Sequence, residues 1–122
     1  MIQNALSLEK ISDDLVSELK LSPLQAKVFL HVTLNGKMNT AQIARDLAIS
    51  QDEAQQIAKS LVDLGGFIDI SSTDFEAMHP RFTAVNMYRR MCAKHNIEFK
   101  KNLVVDNIGV ALERHYDRAR TK

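Results

Sequence analysis

The stretch NTAQIARDLAISQDEAQQIAKSLVDLGGF, Asn39 to Phe67, contains two amphipathic segments separated by the turn Ala48-Ile49-Ser50. Each segment repeats apolar residues at intervals of three and four, which is the spacing of one helix face. These residues are Ile43, Ala44 and Leu47 in the first segment and Ile57, Leu61 and Leu64 in the second. The stretch therefore predicts two short helices that bury their apolar faces.

The ends of these two helices carry capping residues. Thr40 is predicted to cap the first helix, and Ser50 is predicted to cap the second, with Glu53 completing a capping box. Gly65-Gly66 supplies the left-handed backbone that ends a helix. Two helices joined in this way form a helix-turn-helix, whose second helix usually lies in the major groove of DNA.

The flanking segments extend this pattern. Ser22 and Pro23 predict the start of a preceding helix, which ends at Asn35-Gly36. Phe67–Ile70 and Phe75–His79 predict two strands joined by the turn Ser71-Ser72-Thr73-Asp74. A hairpin directly after the second helix is typical of the wing of a winged helix. The predicted fold is mainly α (α+β): a winged helix-turn-helix with a short β-hairpin wing and added N- and C-terminal helices.

The chain of 122 residues divides into three predicted segments. Residues 1–20 hold an N-terminal amphipathic helix from Ser7 to about Leu19, residues 21–82 the winged helix-turn-helix domain, and residues 83–122 the C-terminal helices. Thr83 is predicted to cap a helix from Ala84 to His95, and a longer helix follows from Lys100 to Arg118.

The last predicted helix carries a wide apolar stripe. Such a stripe either folds back on its own core or pairs with a second subunit, and we favour a homodimer. The residues predicted to form the dimer contact are Val104, Ile108, Ala111, Leu112 and Tyr116.

The bulk composition is that of an ordinary soluble globular protein, with 25% charged and 45% hydrophobic residues. No apolar run approaches the roughly 20 residues that span a bilayer, and the N-terminus lacks the features of a signal peptide. The single cysteine, Cys92, suits a reducing compartment. We therefore expect a cytoplasmic protein without a membrane partner.

The sequence predicts no metal site, no cofactor and no enzyme activity. Cys92 and His95 stand three residues apart, but a zinc site needs two further ligands, so Cys92 is predicted to be a packing residue. His31 lies in an otherwise apolar helix and is predicted to be packed or half-exposed. The chain contains no Gly-rich phosphate loop, no paired carboxylates and no nucleophile–histidine arrangement.

The outer face of the second helix, about residues 51–64, is the predicted DNA-reading surface. Glutamine can bond adenine bidentately, lysine can neutralise a phosphate, and a helix start such as that at Thr40 can place backbone N–H groups on a phosphate. Lys37 and Arg45 add charge nearby, and Arg81 follows the hairpin. The predicted DNA-binding residues are Lys37, Thr40, Arg45, Gln51, Gln55, Gln56, Lys59 and Arg81.

The low net charge leaves open an alternative to DNA binding, which is contact with another protein. The chain carries only +1, and its basic excess lies late: residues 1–65 hold six Lys or Arg and eight Asp or Glu, whereas residues 66–122 hold ten and seven. Two features favour a winged helix that contacts a protein of a transcription complex instead of DNA. The second helix carries Asp52 and Glu53, and the hairpin tip has no cation.

Three segments of the chain resemble the winged-helix domain of the TrmB-like archaeal transcriptional regulators, over about residues 21–82. They are Leu21-Ser22-Pro23-Leu24-Gln25-Ala26-Lys27-Val28, Leu64-Gly65-Gly66-Phe67-Ile68 and Phe75-Glu76-Ala77-Met78-His79-Pro80. The resemblance implies a winged-helix fold and a sequence-specific regulator that binds double-stranded DNA. The chain departs from the family where its second helix opens with Gln51-Asp52-Glu53, because the family commonly has Ser, Arg or Lys there.

Overall fold

A computed structural model describes residues 2–120 of the chain, with side chains described for residues 8–120. In that range the protein is mainly helical, with six helices and a small antiparallel sheet. The helices are α1 (Ile2–Leu19), α2 (Pro23–Asn35), α3 (Thr40–Leu47), α4 (Gln51–Asp63), α5 (Pro80–Lys94) and α6 (Leu103–Arg120). The strands are β1 (Met38–Asn39), β2 (Phe67–Asp69) and β3 (Asp74–Ala77).

Local capping signals place α2 and α4 where the sequence predicts them. The Ser22 hydroxyl accepts from the Gln25 N–H at 3.0 Å, and the Gln25 side chain accepts from the Ser22 N–H at 2.9 Å. Ser50 caps α4 by accepting from the Glu53 N–H at 3.0 Å, but the predicted capping box is wrong, because the Glu53 side chain makes no return bond to the Ser50 N–H. At the other end of α4, Gly65 has a positive φ of 87°, and the Gly66 N–H returns to the Leu61 carbonyl at 2.8 Å.

The predicted cap of α3 is wrong by one residue. Asn39 is the N-cap: its side chain accepts from the Gln42 N–H at 2.8 Å, and the Gln42 side chain accepts from the Asn39 N–H at 2.9 Å. Thr40 is the first helical residue. The physical reason is that β1 ends at Asn39 and holds it in the extended conformation that an N-cap requires.

The sheet has the order β1-β3-β2. The predicted hairpin is present as β2 and β3, with Phe67 opposite Ala77 and Asp69 opposite Phe75. Strand β1 was not predicted; it pairs with β3 so that Met38 lies opposite Phe75. Phe67 and Phe75 turn inwards, with ring centroids 6.5 Å apart, and fasten the sheet to the helices.

Helix α5 begins at Pro80, not at Ala84. Proline fits the first helical position, and the His79 ring accepts from the Arg81 N–H at 3.2 Å as the N-cap. The predicted cap Thr83 is buried inside the first turn, where its hydroxyl bonds the Pro80 carbonyl at 3.3 Å. At the N-terminus, α1 likewise begins earlier than the predicted Ser7.

Helix α6 folds back on its own chain and packs against α1, α2 and α5. Ile108 is 1% exposed and Leu112 is 0% exposed, so the predicted dimer contact is wrong for these two residues: both fill the subunit's own core. Ala111 and Tyr116 are half-buried, and Val104 stays exposed. The apolar stripe therefore finds its partner inside the subunit.

The far end of α6 is fastened by Arg120. Its guanidinium donates to the Ala77 carbonyl at 2.9 Å and to the Thr33 carbonyl at 3.3 Å, and lies 3.8 Å from the centroid of the Tyr116 ring. One continuous core thus joins the N-terminal helix, the helix pair, the sheet and the C-terminal helices. Within the described residues, no helix is both long and apolar enough to cross a membrane.

Candidate nucleic-acid interface

The outer face of α4 presents three of the predicted DNA-binding residues to solvent. Gln51, Gln56 and Lys59 are all exposed. They share the helix with Asp52, Glu53 and Asp63, so residues 51–63 contain one cation and three acidic side chains. The α4 face offers amide donors and acceptors in a setting of net negative charge.

Gln55 has a different position from the other two glutamines. It is half-buried, its side-chain N–H donates to the Ser72 carbonyl at 2.8 Å, and its side-chain oxygen accepts from the Thr40 hydroxyl. The amide therefore joins the start of α3, the middle of α4 and the hairpin turn. Both functional ends of the Gln55 side chain are engaged, so it positions the turn and is not presented to a base.

Thr40 is buried, with 6% exposure, and its N–H donates to the Thr73 carbonyl at 2.9 Å. The bond continues the pairing of β1 with β3 into the first residue of α3. The Thr40 N–H, which was predicted to bind a phosphate, is therefore already hydrogen-bonded to the hairpin turn. The Thr40 hydroxyl also lies 3.2 Å from the same carbonyl, so its single proton is shared between this carbonyl and the Gln55 side-chain oxygen.

The three predicted cations outside α4 lie in two different places. Lys37 and Arg45 are exposed around α3, and the Arg45 guanidinium lies 3.6 Å from the Asp46 carboxylate. The Arg81 guanidinium instead pairs with the Glu113 carboxylate on α6 at 2.9 Å. Arg81 thus belongs to the α5–α6 side of the protein and is not brought together with α4.

His31 is half-exposed, as predicted, and has a partner that the sequence did not reveal. Its Nε2 lies 2.9 Å from the Asp46 carboxylate, a residue 15 positions further along the chain. Hydrogen bonding to His31 is the main cause that lowers the pKa of Asp46 below its ordinary value. The pair links α2 to α3.

A groove of about 370 Å³ lies between α4 and the hairpin. Lys59, Asp63, Asp69, Ser71 and Ser72 contribute its polar lining. The turn beside it is ordered by its own hydrogen bonds, because the Ser71 hydroxyl accepts from the Asp74 N–H at 3.1 Å and donates to the Asp74 carboxylate at 3.0 Å. The hairpin tip therefore adds hydroxyl groups and a carboxylate to this face, but no cation.

The structure reveals a second polar surface that sequence reasoning did not select. Residues 81–101 contain six cations and one acidic residue, Glu98, and the cations follow α5 and the linker to α6. We call this surface the basic strip; its cations are Arg81, Arg89, Arg90, Lys94, Lys100 and Lys101. The excess of positive charge after residue 66 was a signal for it, but helix spacing alone did not show that the linker lies against α5.

Phe99 fixes the linker to α5. Its ring centroid lies 5.8 Å from that of Tyr88, and the Arg89 guanidinium lies 5.4 Å from its centroid. The C-terminal end of α5 is closed by Asn96 with a φ of 57° and by a bond from the Ile97 N–H to the Cys92 carbonyl at 2.8 Å. The linker is thereby held in one path beside the cations of α5.

Two further groups bear on charge and metal binding. Burial, aided by the neighbouring Arg118 and Arg114, lowers the pKa of His115 below its ordinary value. Cys92 is buried and His95 is exposed. Across residues 8–120, no cluster of three or more His, Cys, Asp or Glu side chains is arranged to hold a metal ion.

Comparisons with known proteins do not assign a role to either surface. No protein-family model, no curated protein and no solved structure matches this chain. Function is therefore inferred from the geometry and charge of the described residues.

Proposed function

We propose that this chain is a winged-helix protein, similar to the TrmB-like regulators, that binds double-stranded DNA and regulates transcription. In this proposal α4 is the recognition helix and the β2–β3 hairpin is the wing. The element order supports it, because a helix pair joined by a short turn is followed at once by an antiparallel hairpin.

The observation that carries the proposal is the hydrogen-bonded junction at Gln55. This side chain and Thr40 hold the hairpin turn against the helix pair through the Ser72 and Thr73 carbonyls. The neighbouring positions Gln51, Gln56 and Lys59 stay exposed on the same helix. A rigid helix with free amides on its outer face is what direct reading of base edges requires.

The chemistry of the α4 face divides its residues between two roles. Gln51 and Gln56 can each donate to and accept from a base edge, and a good bidentate pair contributes about 1–3 kcal/mol of discrimination. Lys59, together with the exposed Lys37 and Arg45, supplies positive charge for phosphates. Because these cations are few, we expect modest affinity with a shallow salt dependence.

A contact with another protein is the second candidate, and a specific observation favours it. Asp52, Glu53 and Asp63 outnumber Lys59 on α4, and the hairpin tip carries Asp74 without a cation. A face of this charge repels a DNA backbone and suits a basic surface on a protein of the transcription machinery.

The homodimer remains a prediction, and its predicted contact needs revision. Ile108 and Leu112 are occupied inside the subunit, whereas Leu103 and Val110 are the strongly exposed apolar residues of α6, at 72% and 51%. Light scattering at micromolar concentration distinguishes a dimer from a subunit of 13.8 kDa.

The test of DNA binding is an anisotropy titration with a labelled duplex selected from a random pool, compared with random duplex. Lys59→Ala should weaken binding to both duplexes alike and reduce the salt slope by about one. Gln51→Ala combined with Gln56→Ala should instead reduce the preference for the selected duplex, because it removes base contacts.

Lys27→Ala is the matched control, because Lys27 is an exposed lysine on α2. If duplex affinity is unchanged by every substitution on α4, this face does not contact DNA and the protein-contact function replaces the proposal.

A further inference from the structure

We propose that the basic strip is a second binding site, which takes single-stranded nucleic acid and acts independently of α4. The strip lies on α5 and on the linker to α6, and none of its residues belongs to α4 or to the hairpin. The proposal does not require that α4 binds duplex DNA.

Charge is the first argument. Residues 81–101 combine six cations with one acidic residue, whereas the rest of the chain has ten cations and fourteen acidic residues. Two carboxylates of α6, Glu113 and Asp106, pair with Arg81 and Lys101, so the positive charge of the surface is smaller than this count. The net charge of +1 therefore hides a strongly uneven distribution. Phosphate neutralisation by lysine and arginine supplies most of the sequence-independent affinity for nucleic acid.

The path of the linker is the second argument. Lys101 and Arg81, which stand at opposite ends of the strip in sequence, line the same groove of about 310 Å³, together with Val85, Asp106 and Val110. Phe99 lies against Tyr88 and Arg89 in between. The linker therefore runs back along α5, where Arg81 and Lys101 border one groove and Arg89 lies against Phe99.

The third argument is the Phe99 ring. It is 47% exposed even though Tyr88 and Arg89 hold it in place, so it offers a pre-positioned aromatic surface beside cations. Surfaces that bind single strands combine a cationic track with aromatic side chains on which bases stack. A paired duplex hides its base faces from the Phe99 ring. Ile97, Leu103 and Val110 are exposed near the strip, but Glu98 and Asp106 place carboxylates beside them, which an anionic membrane surface repels.

The present partners of these cations do not prevent binding. Lys100 lies 3.5 Å from Glu98, Lys101 lies 3.2 Å from Asp106 and Arg81 lies 2.9 Å from Glu113, and the cation of each ion pair is largely exposed. Pairs of this kind contribute little, so phosphates can exchange for them. Arg90 is excluded from the binding set, because it already donates to the Asp63 carbonyl at 2.7 Å and caps α4.

The experiment is an anisotropy titration of the full chain with labelled oligothymidine of about 20 nucleotides, longer than one typical single-strand site. The test variant is Lys94→Glu/Lys100→Glu/Lys101→Glu. The control is Lys10→Glu/Lys20→Glu/Lys27→Glu, which changes three exposed lysines elsewhere and alters net charge equally. We expect the strip variant to bind at least about tenfold more weakly and to lose about two units of salt slope, while the control changes affinity by no more than about twofold.

A second pair of variants tests stacking separately from charge. Phe99→Ala should weaken oligothymidine binding about tenfold, since a stacked base is lost. Ile70→Ala is the control, because Ile70 is exposed to a similar extent, 48%, and lies outside residues 81–101. The milder variant Lys94→Gln/Lys100→Gln/Lys101→Gln gives the charge comparison without new acidic neighbours, and circular dichroism verifies that each variant is folded.

Three results would overturn the proposal. The first is absence of oligothymidine binding at low salt, and the second is equal loss in the strip variant and its lysine control. The third is capture of phosphatidylserine vesicles, but not of oligothymidine, by the strip. The α4 variants serve as a further check: they should leave oligothymidine binding intact, so failure of duplex recognition and failure of the strip are separate outcomes.

Discussion

The α4 face and the basic strip are opposite in what they provide for nucleic-acid binding. The α4 face has an exposed helix, free amides and an ordered hairpin beside it, but residues 51–63 hold one cation against three acidic residues. The strip has five cations besides Arg90, which caps α4, and an exposed aromatic ring, but presents no helix in a recognition arrangement. Shape suited to base reading and charge suited to phosphates are thus located in different parts of one small fold.

The two surfaces are also stabilised by different interactions. Hydrogen bonds through Gln55 and Thr40 order the α4 side, whereas ring contacts of Phe99 and solvent-exposed ion pairs order the strip. Direct hydrogen bonds fix orientation closely, as base recognition demands. Exposed ion pairs exchange readily, as sequence-independent phosphate binding demands.

The largest expected effect comes from Ile108→Asp, because α6 supports both surfaces through the common core. Ile108 is 1% exposed, so the substitution buries a carboxylate without a partner. We expect a loss of about 4 kcal/mol or more in the free energy of unfolding, measured by urea denaturation. Val110→Asp, on the exposed side of the same helix, should have a small effect. A stable, folded monomer from Ile108→Asp, combined with a dimeric parent, would instead support the originally predicted dimer contact.

Gly109→Ala should affect the α5–α6 side, which carries the strip. A Cβ at Gly109 would lie 2.7 Å from the Arg81 Cα, so the two helices must separate. We expect a loss of about 1–3 kcal/mol in thermal or urea denaturation, with faster hydrogen exchange across α5 and α6. Asn107→Ala is the control at an exposed position of α6. If Gly109→Ala raises stability by its helix propensity of about 1 kcal/mol, the close contact does not exist.

Gln55→Ala should have the smallest effect and should act on the α4 side. It removes the hydrogen bonds to Ser72 and Thr40. We expect the free energy of unfolding to fall by about 1 kcal/mol in total, because water compensates part of the loss. Hydrogen exchange should accelerate in the hairpin turn and leave the linker unchanged. Gln56→Ala, at an exposed position, is the matched control. Equal exchange rates in the two variants would show that Gln55 does not order the turn.

Short-range signals explain the parts of the fold that were predicted correctly. Ser22, Ser50 and Gly65 cap helices through atoms a few residues away, so their sequence context contains the whole interaction. Strand β1 was not predicted, because Met38 and Asn39 are too few to show the alternating pattern of a strand. They form a strand only by pairing with β3. The cap of α3 moved from Thr40 to Asn39 for the same reason.

The sequence by itself determined the helix pair, the hairpin and the apolar stripes, because helix and strand periodicity depend on neighbours along the chain. Only the tertiary structure decided which partner each stripe and polar group meets. In the folded chain Ile108 and Leu112 are buried in the subunit's own core. The Gln55 amide donates to the hairpin turn, and Arg81 forms an ion pair with Glu113. The tertiary structure also brought the linker against α5 and assembled the strip. These outcomes depend on contacts between distant segments, and the spacing of residues within one helix does not contain that information.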